Sequence, residues 1–212
     1  MKRIILILLT ILLISSGISA LEVENPVLRG GMLFLGSSEP SAAPSPLLTT
    51  FGVSVPLRFS EFLLLDPALY LYGTWYGFSG TSSRPVPFPS EWREAWVLSV
   101  LIDPAFRAEL SLGERTAAGV SVSSGLLFRF PVIVYEGETF DSAAALGHFF
   151  SSGRFIFPKT GLYFSWGATD NLTLRAALDA WFPLYHAWDG GSEPFWDDLV
   201  VCGWIGIQKK TR

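Results

Sequence analysis

Glu94–Leu112, EAWVLSVLIDPAFRAELSL, decides how the rest of the chain is read. Every second residue from Trp96 gives Trp96, Leu98, Val100, Ile102, Pro104, Phe106, Ala108, Leu110 and Leu112, all apolar. The residues between them are Ala95, Val97, Ser99, Leu101, Asp103, Ala105, Arg107, Glu109 and Ser111. From Ala95 onward that second set holds every polar and charged group. A period of two means a β-strand with two unlike faces. An apolar face this long, backed by charges on the other side, fits a strand between lipid and a packed polar interior.

The same pattern recurs on both sides of this stretch. Strands are predicted at 28–36, 47–59 and 62–78 before it, and at 117–135, 154–168, 171–187 and 198–208 after it. Loops rich in Ser, Gly and Pro separate them. Their lengths alternate long and short along the chain, with short turns at 60–61, 113–116 and 169–170. All long connections therefore fall at one end of the strands. This predicts an all-β fold, an eight-stranded antiparallel up-and-down barrel crossing a membrane. Within the long connection 136–153, Ser142–Phe150 is a candidate short helix. Asp66-Pro67-Ala68 and Asp103-Pro104-Ala105 repeat one tripeptide, and each proline predicts a bulge or a bend. A fourth strand of this length would run about 60 Å. Either it bends at Pro104 or the wall stands beyond the bilayer.

Composition agrees with that class. Half of the 212 residues are hydrophobic and 15% are aromatic, yet no run after Ala20 has the roughly 18 consecutive apolar residues of a membrane helix. Backbone groups in lipid must pair internally, which leaves a closed barrel as the other spanning structure. Met1–Ala20, MKRIILILLTILLISSGISA, has two basic residues, an apolar core and a small-residue end. That is the layout of a secretory signal peptide, leaving 21–212 as the barrel domain and the bacterial outer membrane as the expected location. Without Lys2 and Arg3 the chain has 13 Lys and Arg against 19 Asp and Glu, a balance that argues against nucleic acid. The single Cys202 excludes an internal disulfide.

Strands 27–208 with this loop asymmetry resemble the small eight-stranded outer-membrane barrels of the OmpA, OmpX and OmpW type. The resemblance rests on pattern and topology. It implies lipid as surroundings, the barrel assembly machinery as a partner, and loops 79–93 and 136–153 as possible contacts for an extracellular ligand. Its OmpW branch implies the alternative of a narrow, porin-like channel for small or apolar solutes. Barrels of this type commonly end on an aromatic residue, whereas this chain ends Ile207-Gln208-Lys209-Lys210-Thr211-Arg212.

Inward positions hold Arg58, Arg107, Arg129, Lys159 and Arg175 against Asp66, Asp103, Glu109 and Asp179. Eight strands leave room only for side chains, so these charges are expected to pair and plug the lumen. Trp75, Trp96, Trp166, Trp181, Trp188 and Trp204 are the candidate membrane-interface aromatics, with Trp92 and Trp196 in neighbouring loops. A carbohydrate- or lipid-binding rim is their sharper alternative. A catalytic set of His186, Asp189 and Ser192 would suit a lipid-modifying enzyme, but nothing in the spacing selects it. No catalytic residue, metal ligand or cofactor is assigned. The expected role is non-enzymatic, structural or surface-contacting. A soluble periplasmic barrel with its apolar residues turned inward is the structural rival.

Overall fold

The computed structural model describes residues 21–38, 44–79, 82–87, 93–134, 140–188 and 194–210. The expected signal peptide, Trp92, Asp189 and Ser192 lie outside these residues.

Eight strands close on themselves. They are β2 (Val27–Leu35), β3 (Leu47–Ser54), β5 (Leu63–Ser79), β7 (Ala95–Ser111), β8 (Thr116–Val134), β9 (Ile156–Thr169), β10 (Leu172–Trp181) and β11 (Val200–Lys209). Each pairs antiparallel with the next, and β11 returns to β2 with Gln208 opposite Val27. A closed ring leaves no unpaired sheet edge along the common height of the wall. Three short strands are added to it. β1 (Glu22–Val23) and β4 (Leu57–Arg58) pair at the end that carries the short turns. β6 (Ser82–Val86) folds back on β5 at the opposite end.

The two faces separate as the period requires. On β7, Phe106 is 51% exposed and its neighbour Arg107 is 1% exposed. Leu28, Phe51, Val122, Leu162, Phe164, Leu178 and Ile205 are likewise exposed. Asp66, Asp103, Arg129, Lys159, Arg175 and Asp179 are buried. The apolar-inward arrangement of a soluble barrel is thereby overturned.

Three local expectations change. The second strand breaks at Val55-Pro56, giving β3 and β4 in place of one run to 59. Proline lacks the N–H a ladder needs, and the Pro56 carbonyl instead accepts from the Glu24 N–H at 2.9 Å. The seventh strand stops at Trp181, short of Ala187, because Phe182-Pro183 leads into a 3-10 turn at Leu184–Ala187. The Asp-Pro-Ala repeats produce no bulge between β5 and β7. Pro67 stands opposite Pro104 in an unshifted register. The Pro67 carbonyl accepts from Val55 at 3.2 Å, so its main chain faces β3 and its missing donor falls where β3 gives way to β4. Pro104 faces β8, where the ladder skips 103–105 and resumes in the same register. Each proline thus sits where a donor is not needed.

β5, β7 and β8 have 17, 17 and 19 residues, against 8 to 10 for β2, β3, β10 and β11. The wall is therefore tall on one side. Helix α1 (Ser142–Phe150) sits at that rim, with Asp141 accepting from the Ala143 and Ala144 amides at 2.9 and 3.1 Å. Phe149 turns inward onto Tyr76, and Phe150 packs on Phe128, Phe130 and Phe155.

Candidate functional site: a filled lumen and its two ends

The interior is built in layers. At the short-turn end, the segment between β1 and β2 carries Glu24 across the mouth. Its carboxylate takes Arg58 Nε and Arg175 Nη2, each at 2.7 Å, and Gln208 Nε2 at 3.1 Å. Arg58 also reaches Glu109 at 2.7 Å. Burial raises the Glu24 carboxyl, but the charges of Arg175 and Arg58 and the hydrogen bonds from Gln208 and Arg58 outweigh it and hold it below its ordinary value. These groups line a pocket of about 400 Å³ open at that mouth, with Lys209 and Lys210 at its edge.

The next layer is a clamp on one carboxylate. Asp66 is held by Arg29 and by Arg107, the latter at 2.5 Å. Arg29 also bonds Tyr70 and, at 2.5 Å, Ser54. Aromatic faces cover both guanidinium groups. Arg29 is 4.1 Å from the Trp204 ring centre and Arg107 4.3 Å from that of Tyr163. Above this, Lys159 bridges Asp103 at 2.5 Å and Asp179 at 3.5 Å. Ser123 also donates to Asp103, and Trp204 Nε1 to Asp179 at 2.7 Å. Gly161 makes room here, since a Cβ on it would lie 2.0 Å from Asp179 Oδ1.

A largely apolar plug follows, containing Leu33, Leu35, Tyr72, Leu101, Leu127, Phe157, Trp181 and Val200. Beyond it lies the long-loop end. Arg129 pairs with Asp198 at 3.5 Å and donates to the Arg154 carbonyl at 2.8 Å. Tyr185 donates to the same Asp198 oxygen at 2.5 Å. Next to it, Asp197 accepts from Arg84 of β6 at 3.1 Å and from the Ser38 amide at 2.6 Å. Asp198 has φ 62°, a left-handed conformation that Asp tolerates better than most residues.

All nine lumen charges expected from the sequence are on the inner side, with Arg58 and Glu109 at the mouth rather than deep in the barrel. Among the described residues, the interior and its two ends hold five more that sequence reasoning missed: Arg29, Glu24, Arg84, Asp197 and Asp198. Among the described residues, seven cations then face seven anions. Two of the expected interface tryptophans are corrected. Trp181 and Trp204 are 1% and 2% exposed and belong to the interior packing. Both share strand parity with lumen residues, Trp181 with Asp179 and Trp204 with Gln208. Trp75 and Trp96 stand opposite each other on the outer face, half-buried. Trp166 is exposed on β9, and Trp188 lies in the last long loop with its Nε1 on the Ser152 carbonyl at 2.7 Å. His186 Nε2 contacts the Asp197 carbonyl oxygen at 3.0 Å.

No protein-family model matches the sequence, and no curated protein matches it. Solved structures do. The neisserial surface protein A barrel aligns with 90% of this chain and 99% of its own, at 11% identity and a TM-score of 0.54. This chain has the fold of the small eight-stranded outer-membrane barrels. Ail of Yersinia pestis (9% identity, TM-score 0.42, covering 89% of this chain and 99% of that one) is also similar. So is OprG of Pseudomonas aeruginosa (11% identity, TM-score 0.37, 89% and 94%).

Proposed function

We propose that this protein is an integral bacterial outer-membrane barrel whose lumen is closed to solutes and whose role is exercised by its long-loop end. One observation carries the reading. Across the middle of the barrel the Arg29–Asp66–Arg107 clamp, the Lys159 bridge and the largely apolar plug pair every described charge and fill the section with buried side chains. An ion entering would have to displace buried ion pairs, whose disruption costs about 3–5 kcal/mol each. The exposed apolar belt supports lipid as the surroundings. Insertion in this reading uses the barrel assembly machinery after removal of the leader. The role is structural or surface-contacting, non-enzymatic, and needs no cofactor.

Membrane fractionation and planar-bilayer recording test it together. The protein should be recovered with the outer membrane, and the purified barrel should leave the bilayer silent. Discrete conductance steps would support the solute channel and overturn the closed-lumen reading.

A further inference from the structure

The short-turn mouth carries its charges in two groups. Over β1, β4, β5 and β7 stand Glu22, Glu61 and Glu109, with Arg58 among them. Over β10 and β11 stand Arg175, Lys209 and Lys210, with no acid among them. Register fixes their places. Glu22 pairs with Arg58 and Arg58 with Leu64 of β5, whereas Lys209 pairs with Leu172 of β10. In the closed ring β5 and β10 are four strands apart by either route, so the two groups face each other across the pocket. Glu24 lies between them, bonded to Arg58 and Arg175. Glu114 and Arg115, on the turn between β7 and β8, add one charge of each sign, and Arg115 is already paired with Asp170 at 3.0 Å.

We propose that this mouth binds a small zwitterion, a short peptide with free termini. Its carboxylate lies toward Arg175, Lys209 and Lys210, and its ammonium toward Glu22, Glu61 and Glu109. Among the described residues no ion pair joins Glu22 or Glu61 to a cation, or Lys209 or Lys210 to an acid. Arg175 is 4% exposed, and its Nε and Nη1 find no acceptor among the described residues. Lys210 Nζ lies against Gly167 of β9, where a Cβ would be only 2.8 Å away, so the glycine lets an ammonium rest on the pocket wall. The pocket, about 400 Å³, is within the range of small-molecule sites, about 300–1,000 Å³. A simple anion would meet repulsion from one flank and a simple cation from the other, whereas a ligand with both charges at opposite ends suits both. A lipid head group also carries both charges, but it approaches from outside the wall, and this pocket opens inside the ring. In an outer-membrane barrel the short turns face the periplasm, where short peptides are soluble. The site lies at the mouth, short of the Asp66 clamp, and stands whether or not the lumen conducts.

Titration calorimetry on the purified barrel in neutral maltoside micelles, at low salt and neutral pH, tests it with trialanine as the probe. Trialanine should bind saturably, and its N-acetyl and C-terminal amide derivatives should each bind about tenfold more weakly. Lys209→Gln with Lys210→Gln should weaken trialanine about five- to tenfold and leave the amide derivative unchanged. Glu22→Gln with Glu61→Gln should weaken trialanine similarly and leave the N-acetyl derivative unchanged. All four residues sit at the mouth rather than in the packed interior, and an unchanged far-ultraviolet circular dichroism spectrum reports an intact barrel in each variant. No saturable binding of trialanine up to about 10 mM would overturn the site. So would equal binding of the three peptides, or paired variants that bind trialanine as the wild type does. Tighter binding of glycerophosphoethanolamine than of trialanine would overturn the peptide as its occupant.

Discussion

Lys159 serves two carboxylates at once, and among the described residues no other cation pairs with either. Replacing it with Met would strand Asp103 and Asp179 as buried anions. The expected cost is about 3–5 kcal/mol, read as a lower urea midpoint for the refolded barrel. Adding Asp103→Asn should recover part of it, because one of the stranded charges is then gone. Glu24 gives a pH signature at the short-turn mouth. Its folded-state value is depressed, so it contributes stability at neutral pH that is lost as pH falls through that value. Glu24→Gln should flatten the acid limb of the stability curve below about pH 4.5. An acid limb identical to wild type would show that Arg175 and Arg58 do not depend on this carboxylate.

At the scale of elements, the strands were legible because an apolar outer face and charges inside impose a period of two on most wall segments. The helix at Ser142–Phe150 was legible from its run of small and apolar residues behind Asp141. Asp141→Ala should destabilise it by about 1 kcal/mol, seen as faster exchange of the Ala143–Phe149 amides with the barrel ladders unchanged. What sequence missed has particular causes. Arg29 is the only charge in a short strand with two adjacent glycines, so its parity carried little weight. Glu24 lies outside the strands, where no period applies, and only the folded chain brings it over the mouth. Asp198 opens the predicted strand 198–208 with the parity of the buried Val200 and Cys202, a signal that reading did not use. Trp181 was read from its nearness to a strand end and Trp204 as another interface aromatic, although the parity of both pointed inward. Their rings cover Lys159 and Arg29, 5.4 and 4.1 Å from the ring centres, so parity was the better guide.

The whole molecule is a barrel with paired charges inside and an apolar exterior, taller on the β5–β7–β8 side. Phe106→Arg places a cation on that exterior and should cost about 2–4 kcal/mol if the position lies near the bilayer midplane, with little effect on the lumen. The central claim is that Phe106, Val122 and Phe164 face acyl chains while Arg107 and Arg175 are enclosed. Nitroxide scanning in lipid vesicles, on a Cys202→Ser background, tests it most directly. Labels at 106, 122 and 164 should be relaxed by dissolved oxygen and untouched by a water-soluble nickel chelate. Labels at those positions relaxed by the chelate instead would contradict the account.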